Sequence, residues 1–236
     1  MRLRDTLRRD YVCGAKGRMM PITRKQWHEL KRRAERGEAE AQWEVGSWYE
    51  DGVTLPDGSA LVRRNSRAAV RWYRRGAEAG SASAQLNLGN CLSTGRGVRR
   101  DDTEALRWYR RALRQGSVSA LNNIATIYCD RGDERRAMFW YRRAAACGDD
   151  DALVEIGRRL YTGLGVRTDA AEAILCFRSA ISSKNITPAG REDAMLLLGE
   201  AYREGRGVKQ ASEQRTRPAP GTCNAHARQR QSDEGR

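Results

Sequence analysis

Five times along this chain an alanine is followed, four residues later, by an aliphatic side chain and then at once by glycine or alanine. Three residues further on comes leucine or tyrosine. The copies begin at Ala41, Ala84, Ala120, Ala152 and Ala194. Their aliphatic members are Val45, Leu88, Ile124, Ile156 and Leu198, and their small residues are Gly46, Gly89, Ala125, Gly157 and Gly199. The last position holds Tyr49, Leu92, Tyr128, Leu160 and Tyr202. Offsets of zero, four, five and eight keep all four on one face of an α-helix. A periodic chain of this kind cannot be organised around one central core, and its repeats must bury their apolar faces against one another. The small residue lets a second helix approach closely. We call this element helix A.

A second pattern follows the first four copies. Ala69, Trp72, Tyr73 and Gly76 recur as Ala105, Trp108, Tyr109 and Ala112, then as Ala137, Trp140, Tyr141 and Ala144. A fourth version reads Ala173, Cys176, Phe177 and Ala180. Spacings of three, four and seven again define one helical face, here called helix B. Three of these helices contain WYRR. The wheel places the aromatics toward the seam between helices and turns the arginines, Arg74 and Arg75, Arg110 and Arg111, Arg142 and Arg143, toward water.

Connections carry their own signals. Gly80, Gly116 and Gly148 stand where three B helices end, a place suited to a left-handed C-terminal residue. Gly-x-Gly-Val recurs at Gly95–Val98, Gly163–Val166 and Gly205–Val208. A phosphate-binding loop of that composition needs a preceding strand, which is missing, so these are expected to be turns. Asp101, Asp102, Asp133 and Asp169 suit the first turns of B helices, and Asp149–Asp151 reads as an N-cap cluster. The stretch GVTLPDGSALVRRN is expected to be a longer A–B loop, and SSKNITPAG a longer exit from the fourth helix B.

The combined pattern, A-x-x-x-L-G-x-x-Y-x-x-G-x-G-V followed by A-x-x-W-Y-x-x-A-x-x-x-G, resembles the Sel-1-like repeat, a relative of tetratricopeptide repeats. Residues 81–116 match it almost position by position, and the resemblance covers about 38–208. It implies an all-α fold, a right-handed α-solenoid of stacked antiparallel helix pairs. The repeats fall at about 38–80, 81–116, 117–148 and 149–190, with a partial copy at 191–208. The third lacks the loop glycines and the fourth lacks the WY pair.

Outside the array, residues 24–37 are expected to form an N-terminal capping helix, with Trp27, Leu30 and Ala34 on one face and His28 exposed. Residues 1–23 read as a basic, disordered arm in which Leu3, Leu7 and Tyr11 sketch an amphipathic stripe, and Met19 or Met20 is a plausible alternative start. Residues 209–236, rich in Pro, Gly, Ser, Arg and Gln, read as a disordered tail. It replaces the helix B expected after the fifth helix A, so that either a partner covers the face of that helix or the array is truncated or frameshifted. The net charge of +14 is concentrated in these ends: residues 1–37 hold 12 Lys/Arg against 4 Asp/Glu, whereas 38–208 hold 26 against 23. Nucleic acid or an anionic membrane is therefore a secondary partner class, through residues 1–37, with salt-sensitive binding.

No apolar run approaches the roughly 20 residues of a transmembrane helix. The N-terminus lacks an apolar signal core, which points to a cytoplasmic protein or to an effector exported by another route. Six scattered cysteines without a CxxC pair read as thiols, and Cys223 with His226 falls short of a zinc ligand set. No cofactor or metal is expected.

The resemblance implies a non-catalytic scaffold or adaptor that holds a peptide or protein partner on a concave surface of A helices. By analogy with tetratricopeptide grooves, the candidate residues are Trp43, Leu86, Asn122, Val154 and Leu196, with Ser47, Asn90, Thr126, Arg158 and Glu200 one turn on. The enzymatic alternative is β-lactam hydrolysis, associated with cysteine-rich relatives whose helices are disulfide-paired. Here the thiols are scattered, and the chain has no Ser-x-x-Lys nucleophile motif.

Overall fold

The computed structural model describes residues 23–207, together with the backbone of residues 11–13 and 19–21. Leu3, Leu7, residues 209–236 and the Cys223–His226 pair lie outside the described residues. Two short strands, β1 (Tyr11–Cys13) and β2 (Met19–Pro21), pair antiparallel within the segment read as a basic arm. Ten helices follow. Helix α1 is Arg24–Glu35; the A helices are α2 (Ala39–Asp51), α4 (Ala82–Thr94), α6 (Ser119–Asp130), α8 (Asp151–Thr162) and α10 (Pro188–Glu204). The B helices are α3 (Ser66–Glu78), α5 (Asp102–Arg114), α7 (Glu134–Ala146) and α9 (Ala170–Ser182). The chain divides into two compact units, Met1–Ser117 and Val118–Arg236. Each is a stack of helical hairpins, so the fold is an all-α repeat fold.

Local chemistry places the helix starts. Thr23 and Gln26 form a reciprocal capping box on α1, satisfying donors that a helix leaves open at its first turn. Asn65, Asp101, Asp133 and Asp169 each accept from backbone N–H groups opening the four B helices. The Asp149–Asp151 cluster opens α8, with Asp151 in the first turn and backbone N–H groups of Asp151 and Ala152 bonded to the Asp149 carboxyl. Asp150 occupies the N-cap of α8 but makes no side-chain cap bond. The three carboxylates also tie neighbouring elements together: Asp149 accepts from Asn122 Nδ2 at 2.7 Å, Asp150 from the Ser183 hydroxyl, and Asp151 from Thr187 Oγ1 at 2.8 Å.

In three of the hairpins the glycine of helix A seats an aromatic ring of helix B. A Cβ built on Gly46 would lie 2.5 Å from the Tyr73 ring, one on Gly89 2.5 Å from Tyr109, and one on Gly157 2.5 Å from Phe177. These rings are buried, as are Val45, Leu88, Ile124 and Ile156 beside them. The first two Gly-x-Gly segments are turns between helices and the third follows α10, with both glycines of each at positive φ. The second glycine has a further reason to be there: a Cβ on Gly97 would collide with the Ser66 backbone at the start of α3. Gly165 meets Glu134 and Gly207 meets Ala170 in the same way, so each loop packs on the first residue of the preceding B helix.

The long first A–B connection is a hairpin rather than a plain loop. Strands β3 (Val53–Thr54) and β4 (Ala60–Val62) pair antiparallel, and Val53 and Val62 are buried with Trp27, Leu30 and Val45. Helix α1 buries Trp27, Leu30 and Ala34, while His28 is exposed. It also stands to α2 as a B helix stands to the next helix A. Gln42 Nε2 donates to Ala34 O at 3.0 Å, and the equivalent Gln85 Nε2 donates to Ala77 O in α3 at 3.2 Å.

Candidate partner-binding surfaces

The ten residues read from the sequence as a groove occupy the positions two and six residues after each anchoring alanine. In the first unit Trp43 and Ser47 on α2, and Leu86 and Asn90 on α4, are all half-buried. Helices α2 and α4 touch, so these four residues share one patch. Asn90 is already engaged: its Oδ1 accepts from the Tyr109 hydroxyl at 2.8 Å. The Trp43 Nε1 is buried without a hydrogen-bond partner among the described residues.

In the second unit Asn122 is half-buried and Thr126 exposed on α6. Asn122 Nδ2 is held by Asp149, whereas its Oδ1 has no partner among the described residues. Arg158 on α8 is half-buried and reaches Asp193 Oδ2 on α10 at 3.4 Å. Leu196 and Glu200 on α10 are exposed. Val154 corrects the set, because it is sealed in a cluster with Ala180, Ile186 and Ala194 and offers no surface. Helix α10 and the segment carrying Ile186 cover it, a contact that depends on the long exit from α9 and has no trace in the periodicity of α8.

The arginines of WYRR are revised only at Arg74. Arg75, Arg110, Arg111, Arg142 and Arg143 are exposed as expected, and Arg74 is half-buried. The second arginine of each motif, while exposed, also lies over its own indole: Arg75 is 4.9 Å from the Trp72 ring centre, Arg111 4.6 Å from Trp108, and Arg143 5.1 Å from Trp140. Arg74 crosses to the next B helix and binds Glu104 Oε1 at 2.6 Å, and that carboxylate also accepts from Trp108 Nε1 at 3.1 Å. The Arg74 hydrogen bond holds the Glu104 carboxyl below its usual range. Each arginine that covers an indole removes apolar ring surface from water while keeping its own charge wet. Arg111→Ala is expected to cost about 0.5–1 kcal/mol, the scale of an exposed cation–π contact. It should also shift Trp108 emission to the red; urea unfolding followed by fluorescence checks both.

The thiols and phenols of the core are unsuited to nucleophilic chemistry. Burial, with Glu50 nearby, pushes the Cys91 thiol up to about 11. Burial and Glu172 push Cys176 up to about 12. Burial raises the Tyr109 phenol to about 12 and also lifts Tyr73 and Tyr141 above the ordinary phenol range. The folded chain therefore retains protons that the unfolded chain loses from about pH 8.5 for thiols and about pH 10 for phenols. Their contribution to stability is intact below the first of those values and is lost as pH rises toward the raised folded-state values. Urea midpoints are expected to be unaffected by these groups up to about pH 8.5 and to fall steadily above it. Measuring them between pH 7 and 11 checks the sign.

Among the described residues, no group of three or more His, Cys, Asp or Glu is placed to hold a metal ion. No helix among them is long and apolar enough to cross a membrane.

Comparison with known proteins agrees with this architecture. The model of the Sel1 repeat matches residues 39–81, 82–117, 119–149, 150–185 and 192–215, well over half of the chain. The structure of a Sel1 repeat protein from Oxalobacter formigenes is similar, with 28% identity and a TM-score of 0.63 over 83% of this chain and 77% of that one. So is that of a protective antigen of uropathogenic Escherichia coli displaying an SLR fold, with 26% identity and a TM-score of 0.60. That alignment covers 78% of this chain and 40% of the antigen. Comparison with curated proteins gives no match. Repeated sequence, the glycine-to-ring seats and five matches in tandem lead to one assignment: this chain belongs to the Sel1 repeat family.

Proposed function

We propose that this chain is a non-catalytic scaffold that holds a peptide or protein partner on the A-helix faces of its repeats. Sel1 repeat proteins generally act in protein–protein interaction, and the family is typically a repeat scaffold without catalysis. One observation carries the assignment to this face. The positions two and six after each alanine are left at least partly open, Val154 excepted, while those at zero, four and five are buried in the first four repeats. What the hairpins leave over is a strip of mixed apolar and hydrogen-bonding side chains, the composition that recognises a folded or helical segment.

Placing a photo-crosslinking benzoylphenylalanine at Ser47 tests this in the intact chain. Discrete adducts are expected at Ser47, weakened by a second change Leu86→Glu and absent when the probe sits at Arg110 on the B-helix surface. Equal capture from Arg110, or none from Ser47, would remove this face from consideration. The β-lactam-hydrolysing alternative predicts nitrocefin turnover by the purified protein; the expected rate is that of buffer alone.

A further inference from the structure

The seat that takes a ring in three of the hairpins is open in the last helix. A Cβ on Gly46, Gly89 or Gly157 would strike an aromatic ring, yet one on Gly199 of α10, an exposed position, meets no atom of the described residues within 4 Å. Its surroundings are correspondingly bare. Met195, Leu196 and Tyr202 are 57%, 67% and 40% exposed, whereas Leu88 and Leu92, which flank the filled seat of Gly89, are 0% and 1% exposed. Met195, Gly199 and Tyr202 stand at spacings of four and three, so they lie along one strip of the helix. The Tyr202 hydroxyl accepts from Arg178 Nε at 3.0 Å, which holds this ring at the edge of the strip.

The filled seats state what the empty one accepts. Each takes a Tyr or Phe standing three residues before a small residue: Tyr73 before Gly76, Tyr109 before Ala112, Phe177 before Ala180. Residues 208–236 contain no Trp, Tyr or Phe and cannot supply such a ring. We propose that the Gly199 face of α10 is a docking seat for an amphipathic helix of a partner polypeptide, whose tyrosine lies on Gly199 and whose small residue one turn later allows close approach. Tyrosine is favoured over phenylalanine by the residue after the glycine. Asn90, next to Gly89, accepts the Tyr109 hydroxyl through Oδ1, and Glu200 stands in the same relation to Gly199 with a carboxylate able to accept. The proposal shares Leu196 and Glu200 with the A-face reading above but rests on the Gly199 seat, and Ser47 crosslinks that persist in the Gly199→Leu protein would separate the two.

The probe is a fluorescein-labelled peptide of residues 101–116, the chain's own ring-bearing helix with its Asp101 cap. A hydrocarbon staple between positions 103 and 107, both exposed, removes the cost of helix nucleation. Titration with the full chain, followed by anisotropy, is expected to saturate. Tyr109→Ala in the peptide should weaken binding by about tenfold or more, equivalent to about 1.4 kcal/mol. Tyr109→Phe should weaken it by a smaller factor. Gly199→Leu in the protein should abolish binding while thermal unfolding stays at or above that of the unsubstituted chain, because the new side chain enters open space and leucine is the better helix former. Absence of saturable binding, or equal binding by the Gly199→Leu protein, would overturn the proposal. So would a dimer in solution that Gly199→Leu converts to monomer, since the seat would then belong to a second copy.

Discussion

Cutting Tyr109 back to alanine is expected to lower stability by about 3–5 kcal/mol, the range for removing a fully buried aromatic. The ring is 1% exposed and lies in the angle between α4 and α5, where the absent side chain of Gly89 gives it room. Its hydroxyl bonds Asn90 at 2.8 Å and contacts Ser93 at 3.1 Å, so truncation leaves a cavity and strands polar groups at its rim. Tyr109→Phe separates the two effects and should cost only about 0.5–1.5 kcal/mol. The reciprocal change, Gly89→Ala, overfills the same seat and is expected to cost about 1–3 kcal/mol, although alanine is the better helix former. Urea unfolding of the three variants gives the order Ala, then the glycine change, then Phe. A neutral Gly89→Ala would mean that the glycine-to-ring seat does not hold these hairpins together.

Arg159→Ala is expected to cost about 3 kcal/mol, the lower end of the range for breaking a buried ion pair, because both of its carboxylate partners still reach solvent. Arg159 is 5% exposed, which is unusual for an arginine. Its guanidinium binds Glu155 Oε2 at 2.6 Å, approaches Glu134 Oε2 at 3.2 Å, contacts the Cys129 sulfur and lies 4.5 Å from the Tyr141 ring centre. One side chain thereby joins α6, α7 and α8. Arg159→Met keeps most of the volume and loses the charge, so it should be less costly than alanine. Equal losses would assign the effect to the lost charge; a loss confined to alanine would assign it to the cavity. Thermal unfolding followed by circular dichroism measures both.

The helices, their pairing and the role of the small residue were legible because they are written in spacing. A face set by offsets of four, five and eight is a local property of one helix. The ring opposite it recurs at a matching place in the next, so the seat of Tyr73 on Gly46 could be anticipated from residues alone. The capping residues Asp101, Asp133 and Asp169 were legible for the same reason: each acts on backbone groups two or three positions away.

Other features arose only when the elements were stacked. Val154 and Leu86 occupy the same repeat position, and only the placement of Ile186 and Ala194 makes the first a core residue. Asp149–Asp151 is a helix start as its sequence suggests, but that its oxygens also bind side chains 27 to 36 residues away was not legible. The role of α1 as a preceding B-like helix had one readable trace, the glutamine after the repeat alanine at Gln42 and Gln85, which bonds the carbonyl of Ala34 or Ala77. The cover of Arg75 and Arg111 over their indoles had a weaker one, the spacing of three within a helix.

What the chain's order of residues determined by itself is therefore the repeat: which helices form, which face each buries, and where a ring meets a glycine. What tertiary structure alone decided is which surface remains after burial, including the open seat at Gly199. The reason is physical. Periodicity encodes contacts within a turn or two of the same backbone, whereas exposure is settled by whatever neighbouring element arrives, or fails to arrive, to cover the face.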